Sequence, residues 1–197
     1  MVLPDRVPLS EYLRAAEQLR CDPVLVRAHC MKETGDENPA WKRFERHYWR
    51  RYRLASRAAR RFDRAGNPRG LQARLGQFRA MDRVCQADGL INPTADAAAI
   101  LSHSHGWPQI MGVHHLALGW ESARGFLEAM DGNVEAQTDA YVAFIQADRR
   151  LLRAMRASDF ETLARIYNGP RHARNRYVPR LISHMAAIRR EGHSEFA

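Results

Sequence analysis

No part of this 197-residue chain alternates apolar and polar residues over more than about four positions, whereas apolar side chains recur at helical spacing in one segment after another. A chain patterned this way buries stripes of helices, so the expectation is a mainly α fold with at most a small β-hairpin. Ser10 stands as N-cap to a helix through Leu19, and Asp22-Pro23 opens a second one, the aspartate capping and the proline occupying the first turn. Gly35 lies where a left-handed C-cap belongs, which puts Glu33 in the last turn of a mostly apolar helix. Further helices are expected over 43–62, 71–87, 94–100, 122–130, 134–154, 159–167 and 178–190. Gly66-Asn67-Pro68 and Asp88-Gly89 mark turns, and the stretch from Ser102 to Gly112, with two glycines and a proline, reads as a structured loop.

The length suits one buried core and is short for two domains with a linker, so a single domain over 1–197 is expected. Cys21, Cys30 and Cys85 form no even framework, which argues against disulfides and for folding in a reducing cytoplasm. The start, Met1-Val2-Leu3-Pro4-Asp5, lacks the pattern of a signal peptide, and no apolar run approaches the roughly 18 residues that a membrane span requires. The reading is therefore a protein cytoplasmic at synthesis. The net charge of +9 is regional: Lys42 to Arg83 holds fourteen Lys and Arg against Glu45, Asp63 and Asp82, and the rest of the chain is slightly negative. Clustered cations suit any polyanion, whether nucleic acid, anionic lipid or a charged envelope polymer, and a solvated basic helix face is the plain alternative.

Three short segments carry the chemistry: Lys32-Glu33-Thr34-Gly35, Gly106-Trp107-Pro108-Gln109-Ile110-Met111-Gly112 and Tyr167-Asn168-Gly169-Pro170. A glutamate ending an apolar helix, then a Gln-Ile-Met turn, then a Tyr-Asn-Gly turn resembles the order of parts in goose-type lysozymes and lytic transglycosylases. With Phe44-Glu45-Arg46-His47 and the approach to Tyr177 included, the chain more closely resembles the phage N-acetylmuramidase family, the endolysins that cut peptidoglycan. It departs from that family's pattern at His105, where the family has tryptophan, at Pro108, where it has an aromatic, and at Thr34, where it has serine. Trp107 stands ready to restore an aromatic platform for a sugar.

The resemblance implies a lysozyme-like, goose-type fold and a hydrolase with no cofactor, acting as a monomer on peptidoglycan glycan strands. Protonating a glycosidic oxygen calls for a sheltered carboxylic acid, and Glu33 is the candidate general acid. Its alternative is a surface glutamate near a helix end. Glu45 is the second carboxylate, either a base that activates water or an anchor for neighbouring groups, since only the separation of the two carboxyls would distinguish the roles. Gln109 matches a cleft-wall glutamine that binds a sugar amide or hydroxyl; otherwise it satisfies local backbone. Tyr167 and Asn168 match residues that reach the acid and the substrate, although Asn168-Gly169-Pro170 also reads as a helix stop.

His103, His105, His114 and His115 lack the spacing of a metal site, and none is expected. Two other readings stand beside hydrolysis: a lytic transglycosylase forming 1,6-anhydro products, and a nucleic-acid or anionic-surface binding protein that uses the basic stretch.

Overall fold

In the computed structural model the described residues are 3–48, 76 and 99–192. They are mostly helical with one small antiparallel sheet. In chain order they form α1 (Leu9–Leu19), α2 (Pro23–Thr34), β1 (Lys42–Phe44), β2 (His103–His105), β3 (Ile110–Met111), two short 3₁₀ turns, α3 (Ala123–Gly132), α4 (Val134–Ala147), α5 (Arg149–Ala157), α6 (Phe160–Tyr167) and α7 (Tyr177–Arg190). The chain divides into two compact units, one of Met1–Leu3 and Pro39–Asn133, the other of Pro4–Asn38 and Val134–Ala197. Apart from Gly76, which is helical, the helix expected over 71–87 lies outside the described residues, as do most of those over 43–62 and 94–100 and most of the basic stretch.

The unit containing the first two helices is all α among its described residues. Asp22 caps α2 by accepting from Val24 N at 2.8 Å, with Pro23 in the first turn. Gly35 ends the helix at φ +82, a conformation open to glycine, and its N–H reaches Met31 O. Helix α7 packs antiparallel along α2, because Arg189 near its end pairs with Asp22 at 2.9 Å and its first residue, Tyr177, meets Glu33. Helices α4, α5 and α6 complete the unit, whose buried side chains include Tyr12, Leu25, Tyr141, Met155, Leu163 and Leu181.

Two helix boundaries differ from expectation. Ser10 lies inside α1, whose N-cap is Pro8 with no side-chain bond. The single helix expected over 134–154 is two, because Asp148 turns extended and its carboxylate accepts from the amides of Arg150 and Leu151, starting α5 afresh.

The same unit holds a buried ion pair that fixes the segment following α2. Arg27 Nε lies 2.8 Å from Glu37 Oε1, and Nη1 reaches Glu191 at 2.7 Å. Glu37 is only 6% exposed, sits at φ +59, and also accepts from the Tyr12 hydroxyl at 3.1 Å. Removing the cation leaves an anion buried without its counter-charge, which typically costs about 3–5 kcal/mol. Arg27→Met, which keeps the apolar stem, is expected to lower stability by that order in urea denaturation. A loss under about 1 kcal/mol would mean that solvent already screens the pair.

In the other unit, β2 lies between β1 and β3 with registers Phe44↔His103, Lys42↔His105 and His105↔Ile110. The small β element thus has three strands, and residues 103–111, expected as a loop, supply two of them. Lys42–Phe44 is strand where a helix was expected to begin, since its backbone groups pair with β2. Gly112 is fixed by close approach: a Cβ there would stand 2.3 Å from Ile100 O, so no larger residue fits without backbone movement.

Candidate active site

Glu33 sits in the last turn of α2, where its side chain is 6% exposed. The C-terminal end of a helix is an unfavourable place for an anion, so its neighbours decide what the carboxyl can do. The Tyr177 hydroxyl donates to Glu33 Oε1 at 2.7 Å. Tyr177 is fully buried, and burial together with the adjacent Glu33 holds its phenol well above the ordinary tyrosine value, so it remains a donor. Because Oε1 accepts this bond, Oε2 is the oxygen left to carry a transferable proton. Lys32 lies 4.1 Å over the Tyr177 ring, adding a cation to the same corner.

One turn before Glu33 on the same face is His29, 1% exposed, with Nε2 at 3.9 Å from Glu33 Oε1 and Nδ1 at 2.9 Å from the Tyr141 hydroxyl. The Tyr167 ring packs edge-on to His29 at 4.3 Å between centroids and also touches Phe144 at 5.3 Å. Asn168 ends α6, its N–H bonded to Ala164 O at 2.9 Å, and Gly169 follows at φ +85. The helix-stop reading of this turn therefore holds. Asn168 Nδ2 is buried without a hydrogen-bond partner among the described residues.

In the sheet-containing unit, Gln109 closes the β2–β3 turn at φ +52 and is 6% exposed. Its Oε1 accepts from Ser104 Oγ at 2.9 Å, while Nε2 donates to Gly106 O at 2.8 Å and to Trp41 O at 3.3 Å. The amide is thus engaged by local backbone and Ser104, the structural role weighed for it from sequence. Trp107 is 0% exposed, so its indole offers no face on which a sugar could stack in this conformation. Glu45 follows β1, its Oε1 accepting from Arg43 Nε at 2.6 Å and its N–H donating to Ser102 O at 2.8 Å. Those contacts are what an anchor would make.

The histidines near the sheet also serve backbone. His103 Nδ1 donates to Ala99 O at 2.8 Å and His105 Nε2 to Ile100 O at 3.0 Å, while His115 Nδ1 donates to Gly112 O. Among the described residues no three His, Cys, Asp or Glu side chains gather as a metal-holding group. No described helix is long and apolar enough to cross a membrane.

The structure therefore brings Glu33, Tyr167 and Tyr177 into one cluster around His29, and it puts Gln109, Trp107 and Glu45 on the sheet of the other unit. Sequence reading left Tyr177, His29 and Tyr141 without a role. His29 had a signal available, its i,i+4 relation to Glu33; Tyr141 had none.

A family model described as Muramidase, N-acetylmuramidase, matches residues 30–189. Among solved structures the chain is similar to the crystal structure of the Burkholderia AP3 phage endolysin, with a TM-score of 0.70 and 27% identity over 95% of this chain and 73% of that one. No curated protein matched the sequence. With most of its length inside the family match, the chain belongs to the phage-type N-acetylmuramidase family of glycoside hydrolases that act on peptidoglycan.

Proposed function

We propose that this enzyme hydrolyses the β-1,4 bond between N-acetylmuramic acid and N-acetylglucosamine, with Glu33 as the general acid. The observation that carries this reading is the sheltered Glu33 carboxyl at the end of α2, oriented by the Tyr177 hydroxyl at 2.7 Å. Oε2 would deliver its proton to the leaving glycosidic oxygen, and the Tyr177 donor on Oε1 would support the carboxylate that remains. Asn168 Nδ2 is a buried donor without a partner among the described residues, and a sugar hydroxyl or N-acetyl oxygen would reach it once the turn that covers it shifts. Tyr167 acts through packing beside His29. Gln109 and Trp107 hold the β2–β3 turn, and Glu45 serves as an anchor for Arg43. The family match runs through both units, which supports one catalytic domain.

The test is digestion of purified, outer-membrane-stripped cell walls, followed by mass spectrometry of the soluble fragments. Saccharides with reducing ends are expected. Anhydro ends would replace hydrolysis with a transglycosylase reaction, in which the substrate's own hydroxyl attacks. Intact walls, together with salt-sensitive binding to nucleic acid, would return the chain to the basic-surface reading.

A further inference from the structure

Arg150, Arg153, Ala154 and Ala157 fall at i, i+3, i+4 and i+7 along α5, a single stripe of that helix, and Asp159, Thr162 and Arg165 follow at every third residue from the cap of α6. The two stripes line a cavity of about 310 Å³ within one compact unit, and none of these residues is among those gathered around Glu33. The three arginines are exposed, whereas Ala154, 3% exposed, gives the cavity an apolar wall. Like charges one turn apart, as Arg150 and Arg153 are, weaken a helix, so the arrangement gains from an anion between them.

The carboxylates at hand supply only part of that anion. Asp148 takes Arg150, whose Nη2 and Nε donate to it at 2.9 and 3.3 Å. Asp159 caps α6 by accepting from the Thr162 N–H at 3.1 Å, and its charge also faces Arg165. Neither Arg153 nor Arg165 has a hydrogen bond or a close ion pair among the described residues. Three guanidinium groups against two carboxylates leave one positive charge at the cavity, which a single carboxylate neutralises and a run of phosphates would exceed. Peptidoglycan presents such a group, since its stem peptides end in a free carboxylate on a residue with a methyl side chain.

We propose that the cavity between α5 and α6 is a second binding subsite for peptidoglycan, in which Arg153 and Arg165 hold the C-terminal carboxylate of a stem peptide and Ala154 and Ala157 pack its methyl group. No bond is made or broken there: the peptide tethers the enzyme while the glycan is cut elsewhere. The inference rests on peptidoglycan being the substrate and is independent of which residue is the acid.

The probe is the N-acetylated tetrapeptide L-alanyl-γ-D-glutamyl-L-lysyl-D-alanine, titrated calorimetrically into the full chain at about 0.1 M salt, beside the same peptide as its C-terminal amide. The free acid should bind, and the amide at least about tenfold more weakly. Arg153→Gln with Arg165→Gln should weaken the acid about 10- to 100-fold and erase its advantage over the amide. Ala157→Phe fills the cavity while keeping every charge, and should do the same. Arg149→Gln removes a charge from α5 outside the cavity lining and should leave affinity within about twofold of wild type.

Equal binding of acid and amide, or binding of neither, would overturn the subsite. So would an Arg149→Gln loss as large as that of the double variant, which would mark a diffuse field in place of a site. Should the double variant fail to fold, Ala157→Phe decides, and unchanged affinity there overturns the proposal. Duplex DNA that binds more tightly than the peptide and loses the same factor in the double variant would give the cavity to a polyanion instead. The peptide contains no glycosidic bond, which keeps the two ideas apart. An enzyme that lyses walls without binding the peptide loses only the subsite, whereas one that binds it and releases no saccharide loses the hydrolase reading.

Discussion

Glu33→Gln is expected to abolish wall lysis while leaving a cooperatively folded protein. Glutamine keeps the size and one carbonyl oxygen, so the Tyr177 hydroxyl retains an acceptor at the position it now bonds at 2.7 Å. Only the transferable proton is removed. General acid catalysis is commonly worth about 10²- to 10⁴-fold, and a glycosidic oxygen is too poor a leaving group to depart unaided. Turbidity loss of stripped walls should therefore fall to background at enzyme concentrations where the wild type clears them. Folding should be little affected, because an amide at a helix C-terminus avoids the unfavourable dipole that a carboxylate meets there. Retention of more than about a tenth of wild-type activity would mean that another group donates the proton.

What the sequence could reveal about this site was local. Asp22, Pro23 and Gly35 bound α2 through contacts within a turn of themselves, so the helix and the position of Glu33 at its end could be read without knowing the rest of the fold. Its partners could not. Tyr177 lies 144 residues from Glu33 in the chain and arrives only because α7 runs antiparallel along α2. Tyr141 and Tyr167 come from two further helices.

The sheet was hidden for a related reason: strands of two or three residues are too short for alternation to register, and β1 pairs with a strand some sixty positions later. At Asp148 the apolar period runs on unbroken, and only the carboxylate's bonds to Arg150 and Leu151 amides reveal a new helix start. Trp107 looked like a sugar platform because an aromatic beside a glycine turn is compatible with either burial or exposure, and packing chose burial. The charge count had a similar blind spot. It put the basic character in 42–83 alone, yet residues 148–190 hold eleven arginines against Asp148, Asp159 and Glu161, and Arg150, Arg153 and Arg165 from α5 and α6 line a pocket of about 310 Å³ there.

The buried histidines make stability strongly dependent on pH. His29, His103 and His105 are each at most 1% exposed, and burial pushes their pKa values down to about 4, about 3 and about 3. Lys42 lowers both sheet histidines further, and His105 also opposes a charge on His103. In the unfolded chain each titrates near 6.5. The unfolded state therefore binds more protons across the interval, and stability is fully present above about pH 6.5 and declines as the pH falls toward 4 and below.

At about 1.4 kcal/mol per pKa unit, a descent to pH 5 costs about 2 kcal/mol per histidine, and three together approach the total stability of a small protein. Carboxylates act lower. Hydrogen bonds from Arg150 hold Asp148 at about 2, so its contribution disappears only below about pH 4, outside this window. The melting temperature should accordingly drop steadily from pH 7 to 4.5 at constant ionic strength. His105→Trp removes one titrating ring while the indole N–H can still serve Ile100 O, the carbonyl His105 now bonds at 3.0 Å. Whatever its absolute stability, that variant should lose less per pH unit, by close to one proton's share. A wild-type melting temperature that stays level from pH 7 to 4.5 would show that the rings accept protons in the folded state as readily as in water.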